Sequence, residues 1–444
     1  MRLVNLISCL LPLAVYAESL NPKYHGLPSL REQAAIQDSW RDERLANIPQ
    51  LLRKHGVDSW LMSQREYAED TAFWSLKTAI EFSARRRTVH LFFASAPEGM
   101  QTAYKFVDNT KAVFEDLKEL LETHQPRSIA LNVDADVAFA GGLHVGMYNE
   151  LVDQLGPKWS NRFVEAPMVA IEYIATMPKA QLKWYKRLQE TAWAMISEAF
   201  SEKVIEPGKT TTEDVEWWLR SKIQAMNYST WFHPGVSILY TDIPFRPEPE
   251  PPAGRKVIEY HDILHVDFGV TALGLNTDTQ HLAYVLGPNE SRDEIPQGLK
   301  DGLRNVNQLQ DIVRENMIVG TSGNDILKSI RAQMKQKDIT GRIYCHPIGD
   351  WGHAAGTLIG MTNLQDGVPV LGDIRLLNQT YYSVELYAEY FVPEKNNTVK
   401  FYQEEDVYWV EDNHWDWVYG QQTEFLVVQT KDKTGIEDGL KTQL

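Results

Sequence analysis

The stretch that decides the fold is DILHVDFGVTALGLNTDTQHLAYVL, which spans residues 262–286. Apolar residues fill both of its ends and a Gly-containing turn separates them, a pattern that predicts two strands. Asp267 lies inside the first strand and Asp278 lies on the returning strand. A carboxylate in a buried strand is costly unless it is paired, hydrogen-bonded or bound to a metal. The stretch therefore predicts either two metal ligands or a hydrogen-bonded core Asp beside a surface Asp.

Three segments downstream place further metal-ligand residue types in apolar surroundings. YCHPIGDWGHAAGTLIG, 344–360, carries two histidines among glycines and small residues, within reach of one pocket. YYSVELYAEYF, 381–391, has Glu385 in the middle of a strand, and GQQTEFLVVQT, 420–430, has Glu424 at the head of another strand. Carboxylates and imidazole suit Mn, Co, Zn or Fe, and two bridging carboxylates suit a pair of metal ions. The chemistry is therefore predicted to lie in the second half of the chain.

Length, composition and charge limit the kind of protein this is. A chain of 444 residues is expected to form two domains, and 43% hydrophobic with 23% charged residues is ordinary for a globular protein. The net charge of −16 argues against nucleic acid as a partner, because a phosphate-binding surface needs excess positive charge. The only two cysteines, Cys9 and Cys345, exclude a framework of disulfides.

The first residues predict an export signal. An apolar stretch of twelve residues runs from Leu6 to Ala17 and ends in the small-residue pattern of a cleavage site. Twelve residues are too few to span a bilayer as a helix, so no membrane partner is expected after cleavage. Removal of residues 1–17 would leave an exported protein, periplasmic or secreted, with Cys345 as its single cysteine. A lipoprotein box ending at Cys9 and a buried N-terminal element are the alternatives.

The chain divides into two unlike halves. In the first half helices alternate with strands, which predicts an α/β domain over residues 18–180. The second half begins with a helix over 181–204 and a shorter helix capped by Thr212. It then becomes rich in strands around a proline-rich loop at 243–256. The elements predicted in the first half are helices at 29–55, 110–123 and 144–155, and strands at 57–63, 88–95 and 128–134.

The order of these acidic and histidine residues resembles the M24 metallopeptidase family, which includes methionine aminopeptidase, aminopeptidase P and prolidase. The shared order is two Asp eleven residues apart, a His in a Gly-flanked motif, a Glu on a strand and a Glu near the C-terminus. The resemblance extends over nearly the whole chain after the signal. It implies an α/β N-terminal creatinase-like domain, 18–180, and an α+β pita-bread catalytic domain, 181–444. The metal ligands that it implies, for two divalent ions (Mn, Co or Zn), include Asp267, Asp278, Glu385 and Glu424, with Asp267 and Glu424 bridging the ions.

The resemblance leaves two candidates for the histidine ligand. The run Gly352-His353-Ala-Ala-Gly356 fits the G-H-x-x-G motif of the family, so we expect His353 to be the ligand. His346 would then face the substrate, stabilise the oxyanion or move protons. In the rival alignment His346 is the ligand and His353 is a later family histidine. A core histidine bonded to backbone is a third interpretation of His346.

The function implied by the resemblance is that of a metal-dependent exopeptidase, an Xaa-Pro aminopeptidase or dipeptidase acting on small peptides. Glu385 would transfer a proton between the attacking water and the leaving amine. The His-Tyr pair usual in proline-specific members is absent before Asp267, and His233 is the nearest substitute for binding substrate, so the requirement for proline stays open. Members of the family often form homodimers. The alternatives are another reaction on the same fold (C–N or ester hydrolysis, or a lyase reaction) and a non-catalytic binding protein.

Overall fold

The computed structural model describes residues 21–239 and 256–429. The predicted signal, residues 1–17, and nearly all of the proline-rich loop at 243–256 lie outside the described residues. Within the described ranges, no helix is both long enough and apolar enough to cross a membrane.

The first half of the described chain builds a sheet with five strands in the order β3-β2-β1-β4-β5. β1 pairs antiparallel with β2 and parallel with β4, so the sheet is mixed. Helices pack around the sheet, and the predicted boundary at residue 180 falls between the helix that ends at Ala175 and the helix that begins at Leu182. The strands are β1 (Ser59–Arg65), β2 (Arg87–Phe93), β3 (Ala103–Val107), β4 (Ile129–Leu131) and β5 (Phe163–Glu165), and the helices are α1 (Leu30–Lys54), α2 (Phe73–Leu76), α3 (Ala112–His124), α4 (Val145–Leu155), α5 (Pro157–Ser160) and α6 (Pro167–Ala175).

The second half builds a larger, eight-stranded sheet within the described ranges, with a central path β11-β12-β13-β10-β7-β6. β14 pairs with β13, and β15 pairs with β10. The strands of this sheet are β6 (Gly235–Leu239), β7 (Ile263–Phe268), β10 (Thr279–Val285), β11 (Thr340–Ile348), β12 (Tyr381–Val392), β13 (Asn397–Trp409), β14 (Trp415–Trp417) and β15 (Leu426–Val428). A separate small hairpin is formed by β8 (Thr271–Ala272) and β9 (Leu275–Asn276). The helices of this half are α7 (Leu182–Ala199), α8 (Thr212–Ala225), α9 (Gln297–Asn316) and α10 (Gly323–Gln336).

Helices cover the large sheet with apolar side chains. One core cluster joins α9 and α10 to β11, β12 and β13, and a second joins α7 and α8 to β6, β7 and β10. Gly302 of α9 lies so close to Phe401 of β13 that a Cβ there would come within 2.2 Å of the Phe401 ring. This close approach seats α9 directly against β13.

The apolar patterns predict most of these elements. Strands β1 and β2 and helices α1, α3 and α4 lie at the predicted places, and residues 262–286 do form two antiparallel strands, β7 and β10. One predicted cap is wrong. The side chain of Thr211, not Thr212, accepts a hydrogen bond from the Asp214 backbone N–H and caps α8, because Thr212 is already the first helical residue.

Candidate metal centre

A row of polar side chains runs across the middle of the large sheet. Asp267 of β7 is paired with Gln280 of β10, Gln280 with Glu404 of β13, and Glu404 with Glu385 of β12. Residues that lie directly opposite each other in an antiparallel pair project from the same face of the sheet. The register therefore gathers three carboxylates and one amide on one face, although they are far apart in the sequence.

Asp278 and His346 complete the cluster beside this row. Asp278 lies two residues before Gln280, and His346 lies two residues after Tyr344, which is paired with Glu385. The two-residue period of strands places both on the face that carries the row. One ligand atom from each of Asp278, His346 and Glu404 lies within 4.8 Å of the other two, and all three residues are buried. A Mn, Co or Zn ion takes this combination of carboxylate and imidazole ligands.

The hydrogen bond made by His346 fixes which ring nitrogen faces the carboxylates. Its Nδ1 lies 3.0 Å from the backbone oxygen of Pro347, and a carbonyl oxygen only accepts, so Nδ1 carries the proton. Nε2 lies 3.4 Å from Glu404 Oε1 and 3.8 Å from Asp278 Oδ2, and it has no hydrogen-bond partner. Burial lowers the pKa of His346, which favours the neutral ring. A lone pair that faces two carboxylates is a fitting arrangement for a metal ligand.

The charges of the cluster are unfavourable without a cation. Burial, reinforced by the charge of Glu404, raises the pKa of Asp267 to about 8. Burial also raises the pKa of Glu404 itself to about 7 and holds the pKa of Asp278 and of Glu385 well above the usual range. Asp267 Oδ1 is buried without a hydrogen-bond partner. Four carboxylates that repel each other, two of them buried (Asp278 and Glu404) and two half-buried, together with an unpaired oxygen and an unpaired imidazole nitrogen, fit a divalent ion.

Gln280 ties the cluster together from its centre. Its Nε2 donates to Glu404 Oε2 at 2.8 Å and to Glu385 Oε1 at 3.1 Å. Its Oε1 lies 2.8 Å from His265 Nε2, which donates to it. His265 and Asp267 are two residues apart on β7, so both lie on the same side of the strand. Because the amide oxygen is held by His265, both amide hydrogens are directed at the two glutamates.

Of the two histidines, the structure brings His346 to the carboxylates and places His353 one step farther out. The two rings are perpendicular, with centroids 4.8 Å apart, and His353 also packs edge-on against Trp231. His353 lines a cavity of about 460 Å³ together with Trp231, Asn276 and Trp351. This geometry fits the rival alignment, with His346 as the ligand and His353 facing the cavity, rather than the preferred one.

Glu424 does not join the cluster. Its side chain is 74% exposed and lies 3.5 Å from Arg292 at the surface. The position expected for Glu424 is taken by Glu404, which the sequence pattern did not single out. Glu424 cannot reach the cluster because it precedes β15. That strand pairs with β10 at Ala283–Val285, beyond the row of carboxylates.

The turn between β12 and β13 predicts the position of Glu404 on the sheet. The residues Pro393–Lys395 with Asn396 join β12 to β13, and the last residue of β12 pairs with the first of β13. Counting back from such a turn places Glu404 opposite Glu385. A proline and two asparagines between two strand-like runs are typical of a turn, so the pairing was accessible to sequence reasoning.

The two acidic residues that follow Glu404 have partners of their own. Glu405 accepts a hydrogen bond from Trp193 Nε1 at 3.1 Å and lies 2.8 Å from His281 Nε2. Asp406 accepts from the Tyr185 hydroxyl at 2.8 Å. Neighbouring residues of a strand point to opposite faces, so Glu404 reaches the cluster and Glu405 does not.

The side chain of His233 makes its contacts with helix α8. Its ring Nδ1 is 3.3 Å from Arg220 Nη1, its Nε2 is 3.6 Å from Glu216 Oε2, and it packs against Trp217. All three partners belong to α8, and the His233 side chain is 45% exposed. The role of His233 in binding substrate stays a prediction.

The chain has the fold of solved X-Pro peptidases. An X-Pro aminopeptidase from Thermotoga maritima matches with a TM-score of 0.56 at 16% identity, covering 85% of this chain and 100% of the other. An Xaa-Pro dipeptidase from Bacillus anthracis gives 0.55 at 15% identity, with 87% and 100% covered. A prolidase from Pyrococcus horikoshii gives 0.52 at 14%, with 86% and 99% covered. The likeness confirms the predicted fold, a creatinase-like N-terminal domain followed by a pita-bread catalytic domain.

The likeness is one of fold rather than of sequence. No protein-family model matches this sequence, and no curated protein matches it either. The comparisons therefore give the fold of this chain and not its activity.

Proposed function

We propose that this protein is a metal-dependent exopeptidase that hydrolyses the N-terminal bond of small peptides, with Xaa-Pro peptides as the first substrates to test. Two findings support the proposal: the fold of X-Pro peptidases and a buried set of metal-ligand side chains on its larger sheet. The single observation that carries it is the unpaired Nε2 of His346, which faces Glu404 and Asp278.

The ligand set indicates which residues would hold metal ions. Asp278, His346 and Glu404 form the group that can hold one ion. Asp267 and Glu385 flank this group in the same row and offer the carboxylates that a second ion needs, so two ions (Mn, Co or Zn) are part of the proposal. When bound, such ions polarise the scissile carbonyl and make hydroxide available near neutral pH.

Glu385 and His353 have the positions needed to move protons and to stabilise charge. Glu385 uses Oε1 to accept from Gln280, which leaves Oε2 for a proton that passes to the leaving amine. His353 lines the cavity, and burial lowers its pKa to about 4, so its ring is neutral at pH 7. A neutral imidazole N–H can donate to the oxyanion of the tetrahedral intermediate. In this proposal His353 takes the substrate-facing role first expected of His346.

The carboxylates of the site also explain exopeptidase action. A free substrate amine offers two or three N–H donors to the carboxylate oxygens of the cluster, and this hydrogen bonding does not depend on the net charge that bound ions would leave there. An N-acetylated terminus offers a single N–H and adds bulk. We therefore expect peptides with a free amine to be cleaved and their N-acetylated forms to be resistant.

The proposal is tested on protein that has been freed of metal with a chelator and reloaded with Mn or Co. Xaa-Pro dipeptides and longer peptides are incubated with it, and the released N-terminal residue is measured. We expect release that depends on the metal and is abolished by Asp267→Ala. Absence of metal from the purified protein, together with absence of activity after reloading, would contradict the proposal.

A further inference from the structure

Four short segments of the second half match the acceptor sequence for N-linked glycosylation, Asn-Xaa-Ser/Thr with Xaa other than proline. These sequons begin at Asn227, Asn289, Asn378 and Asn396. A short match of this kind also arises by chance. A glycan is bulky and hydrated, however, so a usable acceptor must keep its side chain in solvent after the protein has folded.

All four acceptor asparagines are exposed, and each lies between two regular elements. Asn227 follows α8, Asn289 lies between β10 and α9, Asn378 precedes β12, and Asn396 lies in the turn between β12 and β13. The buried asparagines of the described chain all lack a Ser or Thr two residues later, and they are Asn132, Asn276, Asn307 and Asn316. The structure therefore leaves room for a sugar at every sequon.

The backbone holds three of the acceptors in surface turns. Asn227, Asn289 and Asn396 have φ angles of 62°, 66° and 46°, in the left-handed region. Asparagine adopts this region more readily than most residues other than glycine. A sugar on such a turn residue does not disturb the pairing of a strand or the packing of a helix.

The sequon at Asn378 indicates when a sugar would be attached. The Thr380 side chain is buried, and its hydroxyl donates to the Leu377 backbone oxygen at 3.0 Å. The hydroxyl of a sequon is part of what the transferase recognises, so Asn378 has to be modified before the chain folds. Export delivers a chain that is still unfolded, and the signal predicted at residues 1–17 would direct it there.

The surface beside Asn396 offers an attached sugar an apolar contact. Phe391 is 52% exposed although it is large and apolar, and it lies directly opposite Thr398, the third residue of this sequon. Residues opposite each other in an antiparallel pair project from the same face of the sheet. A sugar ring on Asn396 can lay its C–H groups over Phe391 and so remove apolar surface from water.

We propose that the protein is secreted by a eukaryotic cell and carries N-linked glycans at Asn227, Asn289, Asn378 and Asn396. In each transfer the side-chain amide nitrogen forms a bond to C1 of an oligosaccharide, and the bond from C1 to a lipid pyrophosphate breaks. The amide gives up one proton, the lipid pyrophosphate leaves with the electron pair, and nothing is oxidised or reduced. The chain is the acceptor and not the catalyst, so the proposal is independent of the proposed peptidase activity.

The test expresses the full chain, with its own residues 1–17, in a eukaryotic secretory cell. The secreted protein is treated with peptide N-glycosidase, which converts each glycosylated asparagine to aspartate, and its peptides are read by mass spectrometry. We expect aspartate at all four positions and a faster gel mobility after treatment. Secretion of the chain with these asparagines unchanged, or retention of the chain inside the cell without sugar, would overturn the proposal.

Two neighbouring asparagines provide the matched control. Asn396→Gln removes an acceptor and should lose one glycan, whereas Asn397→Gln leaves the Asn396 sequon intact and should lose none. The same loss in both variants, or in neither, would overturn the assignment of Asn396.

Thermal unfolding before and after enzymatic removal of the sugars tests the contact with Phe391. We expect removal to lower the Tm of the wild type more than that of Phe391→Ser, because the serine leaves no aromatic surface for the sugar on Asn396 to cover. An equal fall of Tm in both proteins would show that this sugar does not lie over Phe391.

Discussion

At the scale of single residues, Gln280 orients two of the carboxylates of the candidate metal centre. It donates to two carboxylates at once, and His265 holds its oxygen. A residue that orients metal ligands in this way usually changes metal affinity by ten- to a hundredfold when it is removed. Its role is therefore measurable without an assay of activity.

We predict that Gln280→Leu weakens Mn²⁺ binding by about tenfold or more, because Glu385 and Glu404 lose the donors that orient them. Calorimetric titration of metal-free protein measures this directly. Gln403→Leu is the matched control, since Gln403 is also buried on the sheet but bonds to Gln422. Equal losses of affinity in the two variants would show that Gln280 acts only through general stability.

A buried acid in the N-terminal domain makes stability depend on pH. Burial raises the pKa of Asp70 to about 6, above its value in the unfolded chain, and its Oδ2 has no partner. The folded state therefore holds the proton more tightly, and this stabilisation is present at low pH and is lost as pH rises through about 6. We predict that Asp70→Asn raises the free energy of unfolding by about 2 kcal/mol more at pH 8 than at pH 4. Urea unfolding of both proteins at both pH values checks the sign, and a larger gain at pH 4 would refute it.

At the scale of elements, the site depends on pairing between strands that are distant in the sequence. Asp267 and Asp278 could be recognised because they interrupt apolar strands within one local stretch. Glu404 could not be chosen over Glu424 by local pattern alone, because both lie in apolar surroundings. The pairing of β12 with β13 decides between them, and pairing is a property of the hairpin and not of either strand.

The choice between His346 and His353 as the ligand also depends on strand pairing and not on local pattern. A Gly-flanked motif favours His353, but a motif does not say which ring faces the carboxylates. His346 is paired with Ser383, two residues from Glu385 on the neighbouring strand, and this places it beside Asp278 and Glu404. His353 follows the end of β11, and its ring is held by Trp231 instead.

The packing of α9 on the sheet predicts the effect of a substitution at Gly302 on stability. Alanine favours a helix over glycine by about 1 kcal/mol, so Gly302→Ala would stabilise an isolated α9. In the protein the new methyl would overlap the buried Phe401 ring, and we predict a net destabilisation of about 1–3 kcal/mol. Urea unfolding measures it. In a Phe401→Leu background the same change should cost less, and an equal cost in both backgrounds would rule out this contact as the cause.

At the scale of the whole molecule, one buried ion pair links the N-terminal domain to the catalytic domain. Arg44 of α1 pairs with Asp350, in the loop after β11 that also leads to His353. Removing one partner of a buried pair leaves an uncompensated charge, whereas removing both can be nearly neutral.

We predict that Arg44→Met lowers the free energy of unfolding by about 3 kcal/mol and that Arg44→Met with Asp350→Leu recovers most of the loss. Thermal and urea unfolding of the two variants and the wild type measure the difference. A double variant as unstable as the single one would mean that the pair itself, and not the unpaired Asp350, holds the domains together.

The central claim is that Asp278, His346 and Glu404 form a metal site, with Glu404 in the place first expected of Glu424. Its most direct test is calorimetric titration of Mn²⁺ into metal-free wild type, Glu404→Gln and Glu424→Gln, with circular dichroism to verify folding. We predict tight binding in the wild type and in Glu424→Gln, and a loss of at least about a hundredfold in affinity in folded Glu404→Gln, because a carboxylate ligand is replaced by a neutral amide. Unchanged binding in Glu404→Gln, or loss of binding in Glu424→Gln, would contradict the account.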